Sequence, residues 1–456
     1  MNDNLLLMTD SYKMSHWKQY PQKTEKVYSY FESRGGIFPA TKFFGLQYFL
    51  KKYLSGTVVT KEKIDEAEAF AKAHFGRDDC FNREGWEYIL HKHGGNLPVK
   101  IMAIPEGMLV PTGNVLMTIE NTDPDCYWLT NYLETLLVQV WYPTTVATQS
   151  HYMKEILLSY LEKTGDPKGI DFKLHDFGFR GSTSVESAGI GDCAHLVNFK
   201  GTDTIAGILV ARDYYGEPMA GFSIPASEHS TMTAWGKENE VKAFENMLEK
   251  YPTGLIACVS DSYDIYNACE KLWGEKLKDK ILARDGVLVV RPDSGDPSEV
   301  VGRILWILGE KFGYEKNDKG YKVLNSKVRV IQGDGIDFET LKQVLERVEA
   351  LGWSTDNIAF GSGGGLLQKV NRDTCSFAFK CSSVTVDGKE IDIWKDPITS
   401  KGKVSKAGRL KLTTVKNEYT TIKETKEGLD HMVEVFRDGE VLLDFSFDEI
   451  RGRVNE

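Results

Sequence analysis

Several features are missing from this chain of 456 residues, and each absence argues against a class of protein. No uncharged apolar run approaches the ~20 residues of a membrane span. The N-terminal stretch MNDNLLLMTDSYK has no basic leader, so we expect neither a membrane anchor nor a secretory signal. The seven cysteines are odd in number and lack CxxC spacing, which favours reduced thiols in a cytoplasmic protein.

Basic residues are also not in excess. The chain has 56 Lys and Arg against 66 Asp and Glu, a formal net charge of −10, whereas a broad nucleic-acid surface usually brings a basic excess. We therefore expect no nucleic-acid partner. Any site for an anionic ligand has to be a local cluster of cations within an acidic protein.

A repeating pattern of strands and helices fills the middle of the chain, from about residue 170 to 385. Its apolar or β-rich runs are FKLHDFGFRG, DTIAGILVA, GFSIPASEH, GLIACVSDSYD, GVLVVRPDSGDP, VRVIQGDGID and NIAFGSGGG. Helical segments such as 298–311 and 338–350 lie between many of them. This alternation predicts βαβ units and a parallel sheet. About seven such units favour a closed (β/α) barrel over an open sheet, although alternation alone does not settle closure.

The two flanks differ from this central region. Residues 1–165 are rich in Tyr, Trp and helical spacing, while residues 385–456 contain two predicted β-hairpins with Asp-Gly turns, TVDGKEIDIWKD and VFRDGEVLLDFS. We predict an α/β protein with a (β/α) barrel-like catalytic domain over 166–384. The N-terminal α+β domain, 1–165, is completed by the β-rich segment 385–456, which packs on it.

Polar residues follow the predicted strands. Ligands of parallel α/β folds lie beyond the carboxyl ends of the strands, so these residues are the candidates for function. They are His175, Asp176, Arg180, Glu228, His229, Asp261, Asp264, Arg291, Asp293, Asp296 and Asp334. For any one of these loops, a structural salt bridge or a tight turn explains the residues as well as catalysis does. His229 is equally open to a structural and a catalytic interpretation.

The stretch FGSGGGLLQKV, residues 360–370, has four glycines among its first six residues and then the spacing of a helix start. Glycines let a backbone approach a ligand, and a helix N-terminus offers N–H groups to an anion. The stretch lacks the Gly-Lys-Ser/Thr of a Walker A loop, and Leu366 replaces the last glycine of GxGxxG. An NTPase and a dinucleotide-binding dehydrogenase are thus disfavoured, and a sugar phosphate held by a late barrel loop is favoured.

Eight motifs stand in order along the chain: TDSYK (9–13), LHDFGFRG (174–181), NFKGTDT (198–204), AWGKE (234–238), VSDSYDIYNACEK (259–271), RPDSGDP (291–297), VIQGDG (330–335) and AFGSGGGLLQK (359–369). Together they resemble the nicotinamide phosphoribosyltransferase family, and the likeness continues to SFDEIR at 446–451. The resemblance implies a type II phosphoribosyltransferase fold. It also implies transfer of the phosphoribosyl group of phosphoribosyl pyrophosphate (PRPP) to nicotinamide, giving nicotinamide mononucleotide and pyrophosphate in NAD biosynthesis. Mg²⁺, ATP coupled through a phosphohistidine, and a homodimer with active sites at the subunit interface belong to the same expectation.

The resemblance also assigns residues to the base. Phe177 and Tyr12 would stack on the two faces of the pyridine ring, Tyr12 coming from the partner subunit with Asp10 nearby. Asp203 would accept a hydrogen bond from the carboxamide NH₂, and Arg291 would contact the base. An ionised Asp203 accepts from an amide but repels the carboxylate of nicotinate, which favours nicotinamide as the substrate.

The remaining assignments concern the phosphates, the ribose and the chemistry. The diphosphate would be bound by Arg180, His229, Arg291, Arg34, Lys380, Lys395 and Lys403. The ribose 5′-phosphate would be held by Asp293, Gly333, Asp334, Gly363, Gly364 and Arg372. The candidate catalytic residues are His229, the match to the phosphorylated histidine, with Asp293 and Asp261. No protein ligand is assigned to Mg²⁺, which would be bound mainly through the substrate phosphates.

Two alternatives keep the same fold. The chain could be a nicotinate phosphoribosyltransferase, which differs in the base, or a catalytically silent protein that binds a sugar phosphate. Loss of His229, Asp293 or Arg291 would support a silent protein, but the sequence retains all three.

Overall fold

The computed structural model describes residues 3–396, 398–399 and 405–453. Its strands are Thr24–Ser33 (β1), Ala40–Lys42 (β2), Val99–Ala103 (β3), Leu109–Pro111 (β4), Val115–Asn121 (β5), Leu174–Asp176 (β6), Gly201–Thr202 (β7), Thr253–Val259 (β8), Asp285–Arg291 (β9), Tyr314–Lys316 (β10), Lys322–Leu324 (β11), Val328–Gln332 (β12), Ile358–Ser362 (β13), Phe377–Val386 (β14), Lys389–Asp392 (β15), Leu410–Val415 (β16), Glu418–Lys423 (β17), Val433–Arg437 (β18) and Glu440–Val441 (β19).

The α-helices are Leu46–Phe49 (α1), Lys61–Phe75 (α2), Arg83–Lys92 (α3), Leu129–Leu137 (α4), Trp141–Thr164 (α5), Val185–Leu196 (α6), Ile205–Tyr215 (α7), His229–Thr233 (α8), Glu240–Lys250 (α9), Ile265–Asn267 (α10), Lys278–Ala283 (α11), Pro297–Phe312 (α12), Phe338–Ala350 (α13), Gly364–Leu367 (α14) and Phe447–Gly452 (α15). Two π-helical stretches are Leu50–Leu54 and Ala268–Lys276. Short 3₁₀ helices are Leu5–Leu7, Ser11–Lys18, Pro124–Cys126, Val138–Val140, Pro167–Phe172, Phe179–Gly181, Lys237–Asn239, Thr355–Asn357 and Arg372–Thr374. No helix in the described part of the chain is both long and apolar enough to cross a bilayer.

The chain divides into two compact units. The first consists of Met1–Thr148, Asp213–Glu217 and Asn371–Glu456, and the second of Gln149–Arg212 and Pro218–Val370. The sequence places the corresponding boundaries at 165 and 384. Residue 165 follows the end of α5, and residue 384 lies within β14, a strand of the first unit's sheet.

The first unit is built on a seven-stranded sheet in the order β15-β14-β1-β5-β3-β18-β19. Its long central strand β1 is antiparallel to both β14 and β5. Both predicted Asp-Gly hairpins are confirmed, as β14–β15 and β18–β19. Asp387 and Asp438 have φ near +50°, and the glycine after each is also positive, as a two-residue hairpin turn requires.

The second unit is built on a six-stranded sheet in the order β7-β6-β13-β12-β9-β8. Every pairing in this sheet is parallel, so the carboxyl ends of all six strands lie at one edge. This mixed α/β architecture confirms the predicted fold class. Buried side chains of three neighbouring strands, Ala257, Val289 and Ile331, meet on the inner face of the sheet.

The segment 222–227 joins the two edges of this sheet. Phe222 forms a parallel bridge with Gly201 on β7, and Ala226 forms one with Ala257 on β8. The N–H of Ser227 donates to the carbonyl of Ala257 at 3.0 Å. The predicted strand GFSIPASEH is therefore present as two bridges rather than as a continuous ladder, and these bridges complete the ring of parallel segments.

One predicted strand is a helix. The run DTIAGILVA lies mostly in α7, Ile205–Tyr215. An unbroken apolar run fits a buried strand and a buried helix equally well, because periodicity does not separate the two. The segment that takes its place in the ring is the two-residue strand β7, Gly201–Thr202, which directly precedes this run.

The helices after β9 and β12 are confirmed almost to the residue. Predicted segments 298–311 and 338–350 are observed as Pro297–Phe312 and Phe338–Ala350. Asp296 caps the first helix by accepting from the N–H of Glu299, and Pro297 occupies the first helical position. A capping box at Asp337 starts the second. These caps fix the loops between strand end and helix start.

Ser227 provides a test of how the ring closes. Its hydroxyl accepts the N–H of Val259 at 2.9 Å in a buried position. Ser227→Ala leaves that N–H without an acceptor, so we expect the free energy of unfolding to fall by about 1–3 kcal/mol. Urea denaturation checks this against Ser159→Ala, an exposed serine of α5 for which a change within about 0.5 kcal/mol is expected. Equal stability of the two variants would contradict the assigned hydrogen bond.

Candidate active site

A polar cavity of about 870 Å³ lies at the carboxyl ends of the strands in the second unit. Parallel pairing gathers the loops after β6, β9, β12 and β13 at this edge. Its lining includes nine of the predicted site residues: Phe177, Arg180, Asp203, Arg291, Asp293, Gly333, Asp334, Gly363 and Gly364. Basic, acidic and glycine residues from separate loops thus meet around one space, as the sequence predicts.

Asp261 connects three parts of this edge. One of its carboxylate oxygens lies 2.9 Å from Nε2 of His229. The other accepts the N–H of Asp293 at 3.1 Å and the hydroxyl of Ser294 at 2.6 Å. The side chain of Asp261 is 5% exposed and that of His229 46% exposed, so a buried carboxylate holds an accessible imidazole. Both oxygens of Asp261 are engaged, and we regard it as a positioning residue.

The carboxylate of Asp293 lies between two potential cations. One oxygen is 3.9 Å from Nε of Arg291 and the other is 3.9 Å from Nδ1 of His229. These distances are longer than hydrogen bonds, and the Asp293 side chain is 29% exposed. Nε of Arg291 is buried and has no hydrogen-bond partner among the described residues. Arg291 and Asp293 therefore retain hydrogen-bonding groups that a ligand could use.

Phe177 follows β6, and its ring lies directly against β13. A methyl group added at Gly361 would come within 2.0 Å of the ring, so glycine makes room for the phenyl group. The hydroxyl of Ser223, in the segment that closes the ring, donates to the carboxylate of Asp203. Sequence reasoning missed Ser223, because no motif marks a serine whose partner comes from a different loop.

A second, narrower cavity of about 200 Å³ extends into the interior of the ring. It shares Phe177, Asp203, Ala226 and Arg291 with the polar cavity. Much of its remaining lining is apolar, including Ile224, Leu255, Val289 and Ile331. The junction of the two cavities thus combines an aromatic face, a carboxylate and a guanidinium, which suits a flat ring that carries a polar substituent.

The glycine loop follows β13 and forms one side of the polar cavity. A methyl group at Gly365 would lie 2.4 Å from the carbonyl oxygen of Ile336, whereas one at Gly364 would meet nothing within 4 Å. Gly365 is thus required for close packing and Gly364 faces open space. Lys369 also lines this cavity and pairs with Asp337 at 3.3 Å. The sequence analysis missed it as a site residue, although it ends the quoted motif AFGSGGGLLQK.

Tyr12 and Asp10 belong to the first unit. Both lie at the start of the 3₁₀ helix Ser11–Lys18, with Asp10 as its N-cap. Asp10 is anchored by Thr135, whose hydroxyl donates to its carboxylate at 2.8 Å. The Tyr12 side chain is exposed. The predicted contact of Tyr12 with a base stays a prediction.

A cationic cluster lies in the first unit around Lys380 of β14. Burial lowers the pKa of Lys380, and the positive charges of Arg34, Lys395 and Arg372 act in the same direction, while Glu134 opposes them. Like charges gathered in one place favour an anionic ligand. Four of the predicted phosphate-binding residues are therefore close neighbours.

Arg34 is held in this cluster by the buried carboxylate of Glu32, which accepts from its Nε at 2.9 Å. Lys406 pairs with the other oxygen of Glu32. Nη2 of Arg34 is buried and, within the part of the chain that is described, has no hydrogen-bond partner. Lys403, also predicted to bind phosphate, lies outside the described residues.

One group of potential metal ligands occurs among the described residues, in the first unit. His93, Asp123 and Cys126 have ligand atoms within 4.8 Å of one another. Asp123 is already paired, with Nζ of Lys92 at 2.9 Å and Nε2 of His93 at 2.8 Å. Burial raises the pKa of Cys126 to about 12, which keeps the thiol protonated. We assign no metal centre to this group.

The ring of parallel segments with a polar cavity at its strand ends is a type II phosphoribosyltransferase fold. Two solved structures share it. Nicotinate-nucleotide pyrophosphorylase from Pyrococcus furiosus has a TM-score of 0.62 at 17% identity, covering 100% of this chain and 95% of its own. Human nicotinic acid phosphoribosyltransferase has a TM-score of 0.55 at 16% identity, covering 98% and 93%.

Sequence comparison places the chain more narrowly. The profile of the nicotinate phosphoribosyltransferase (NAPRTase) family matches residues 172–440, and that of the nicotinamide phosphoribosyltransferase N-terminal domain matches 4–101. A nicotinamide phosphoribosyltransferase of Xanthomonas campestris is 51% identical, over 99% of this chain and 98% of its own length. One of Acinetobacter baylyi is 33% identical, over 99% and 97%. The chain belongs to the nicotinate phosphoribosyltransferase family and, within it, to the nicotinamide phosphoribosyltransferases, which are pentosyltransferases. The resemblance stated from its motifs is confirmed.

A substitution at Gly361 tests whether this residue fixes the position of the Phe177 ring. The methyl group of Gly361→Ala would overlap the ring, so Phe177 has to move into the cavity. We expect phosphoribosyl transfer to fall by about tenfold or more, which corresponds to about 1.4 kcal/mol. Steady-state kinetics check this, with Gly452→Ala as the control because a methyl group there meets nothing within 4 Å. Full activity of Gly361→Ala would show that the ring is not fixed by this contact.

Proposed function

We propose that this enzyme transfers the 5-phosphoribosyl group of PRPP to nicotinamide, giving nicotinamide mononucleotide and pyrophosphate in NAD biosynthesis. The observation that carries the choice of base is the location of Asp203, where the polar and apolar cavities meet beside Phe177 and Arg291. An ionised carboxylate there accepts from a carboxamide and repels a carboxylate. The names of the relatives from Xanthomonas and Acinetobacter support the same choice.

The proposed chemistry follows from charge. The ring nitrogen of nicotinamide attacks the anomeric carbon with its lone pair, the bond from that carbon to the diphosphate oxygen breaks, and pyrophosphate leaves with the electron pair. Positive charge grows on the ribose and negative charge on the leaving group. The carboxylates of Asp293 and Asp334 suit the ribose, and the guanidinium groups of Arg180 and Arg291 suit the diphosphate.

Mg²⁺ fits the same cavity. Carboxylate oxygens are ligands that Mg²⁺ prefers, and Asp293 has a partly exposed carboxylate without a close ion pair, whereas both oxygens of Asp261 are engaged. When bound, the ion would neutralise charge on the diphosphate, and it would be held mainly by the substrate's own oxygens. Asp293 is the protein residue best suited to face it.

His229 is proposed to be phosphorylated by ATP. Because Asp261 engages Nε2, that nitrogen carries the proton and Nδ1 keeps its lone pair. Attack of Nδ1 on the γ-phosphorus would form the N–P bond as ADP leaves. Arg34, Lys380, Lys395, Lys403 and Arg372 are proposed to bind the phosphates of ATP, pyrophosphate and the ribose.

The working assembly is proposed to be a homodimer in which Tyr12 of one subunit stacks on the base bound by the other. An exposed tyrosine at a fixed helix start suits that role. A cytoplasmic location, expected from the sequence, remains part of this proposal.

The choice of base is tested with Asp203→Asn. The wild-type enzyme, supplied with PRPP and Mg²⁺, is expected to convert nicotinamide far better than nicotinate. In Asp203→Asn, an amide can donate to the nicotinate carboxylate, so the ratio of kcat/KM for nicotinamide over nicotinate should fall by about tenfold or more, about 1.4 kcal/mol. Asp318→Asn makes the same charge change at an exposed position and should leave the ratio unaltered. A wild-type preference for nicotinate would make the nicotinate enzyme the correct assignment, and no turnover of either base would favour a silent sugar-phosphate-binding protein.

ATP coupling is tested at His229. Incubation with γ-labelled ATP should place an acid-labile label on the wild-type enzyme, and ATP should increase product formation. In His229→Ala both the label and the stimulation should be lost, because Nδ1 is missing. His74→Ala, an exposed histidine of α2, should retain both. Labelling of His229→Ala would place the phosphoryl group on another residue.

A further inference from the structure

The two residues proposed to recognise the base are each enclosed by members of one buried hydrogen-bond network. Phe177 lies between Asp176 and Gly178, and Asp203 lies between Thr202 and Thr204. Asp176, Thr202 and Thr204 are fully or almost fully buried. The network is therefore buried next to the two residues proposed to bind the base. Neither the family resemblance nor the proposed chemistry assigns it a role.

Asp176 links the loops after β6 and β7. One of its carboxylate oxygens accepts the N–H of Gly178 at 2.8 Å, and the other accepts the hydroxyl of Thr204 at 2.6 Å. Its backbone carbonyl accepts the N–H of Asp203 at 3.0 Å. Both carboxylate oxygens act as acceptors, which is the arrangement of an ionised group.

Asp192 extends the network from α6. One of its oxygens accepts the hydroxyl of Thr202 at 2.7 Å. The oxygen of the same hydroxyl accepts the N–H of Thr204 at 2.9 Å. The second oxygen, Oδ2 of Asp192, is buried and receives no donor from the described residues. A methyl group on Gly207 would lie 2.0 Å from this oxygen, so α7 also closes over it.

The carboxyl groups of Asp176 and Asp192 are close enough to interact directly, and Asp203 lies within electrostatic range of both. Burial raises the pKa of both buried carboxyl groups, and the negative charge of Asp203 acts in the same direction on each. The hydrogen bonds from Thr204 and Gly178 oppose the rise in the pKa of Asp176, whereas the charge of Asp176 adds to the rise in the pKa of Asp192. Two adjacent buried carboxylates cannot both remain ionised at modest cost. A proton on Oδ2 of Asp192 removes one charge and gives that oxygen a hydrogen to donate.

We propose that Asp192 carries a proton shared with Asp176, and that this carboxyl pair positions Phe177 and Asp203 for recognition of the carboxamide. The inference rests on the proposed function of those two residues. Asp176 keeps the negative charge and ties the loop after β6 to the loop after β7. Asp192 is a positioning residue, since it acts through Asp176 and through Thr202.

Two substitutions of Asp192 distinguish the need for a hydrogen-bond donor from the need for a negative charge at this position. In Asp192→Asn, the NH₂ group donates to Asp176 and the carbonyl oxygen accepts from Thr202, as in the protonated acid. This variant should keep both kcat/KM and the nicotinamide-over-nicotinate ratio within about threefold of wild type. In Asp192→Ala the donor is lost, Asp176 loses a partner, and both quantities should fall by about tenfold or more.

Asp176→Asn tests the assignment of the charge. Gly178 and Thr204 donate to different oxygens of Asp176, and asparagine replaces one of these oxygens with an NH₂ group. One of the two hydrogen bonds is then lost, and the base ratio should fall as in Asp192→Ala. Infrared difference spectra offer a readout that does not depend on turnover. The carbonyl stretch of a protonated carboxyl group should be present in the wild-type protein at neutral pH and absent in Asp192→Asn.

The outcomes are distinguishable. If the wild-type enzyme prefers nicotinamide but Asp192→Asn lowers the base ratio as far as Asp192→Ala does, Asp192 acts as an anion and the inference is wrong. A tolerated Asp176→Asn with an impaired Asp192→Asn would place the proton on Asp176 and equally overturn it. If the wild-type enzyme converts neither base, the proposed function fails instead. Should Asp192→Ala not fold, the infrared band and the ratio in Asp192→Asn still decide the question.

Discussion

Parallel pairing of six strands in one sheet is the constraint on which the candidate site depends. Because every strand of the second unit's sheet points the same way, the loops after β6, β9, β12 and β13 all open at one edge. Residues more than 180 positions apart in sequence, such as Phe177 and Gly363, therefore line the same cavity. The strands themselves contribute little chemistry. Their apolar side chains fix the positions from which charged residues project. The caps at Asp296 and Asp337 fix where the following helices begin, and so where the loops end.

In each of the two units, taken separately, carboxylates hold other functional groups in place and leave cationic groups available. Asp261 uses one oxygen for His229 and the other for the loop of Asp293, while Glu32 holds Arg34 in the cationic cluster of the first unit. Nε of Arg291 and Nη2 of Arg34 are buried and have no hydrogen-bond partner in the described chain. An unpaired buried donor is costly, and a phosphate oxygen that accepts from it removes that cost. If an anion binds there as proposed, the stability given up at these positions would be recovered.

The sequence predicts the features that depend on local chemistry better than those that depend on tertiary contacts. The bounds of α13 and the two Asp-Gly hairpins follow from a capping residue and from turn residues that accept positive φ. The run DTIAGILVA was wrong as a strand because an unbroken apolar run does not distinguish a buried strand from a buried helix. Of the residues that line the polar cavity, the sequence predicts many of those that follow a strand or belong to the glycine loop. Ser223 and Asp192 were missed, since each matters through a partner from another element that no spacing reveals.

The hydrogen bonds of the closing segment bear on the proposed phosphorylation of His229. Ser227 and His229 lie at the end of the closing segment and the start of α8, while Val259 and Asp261 lie at and just after the end of β8. Two hydrogen bonds therefore join the same pair of segments. A phosphoryl group on Nδ1 of His229 would add about −2 charge close to the carboxylate of Asp293. That placement is repulsive unless a cation lies between them. A substrate that carries Mg²⁺ on its diphosphate would supply this cation, so a phosphorylated enzyme would bind PRPP with Mg²⁺ more tightly. Loss of the phosphoryl group would then weaken the binding once pyrophosphate has formed. If His229 is phosphorylated as proposed, this charge repulsion, more than any direct role in bond breaking, would couple phosphorylation to binding.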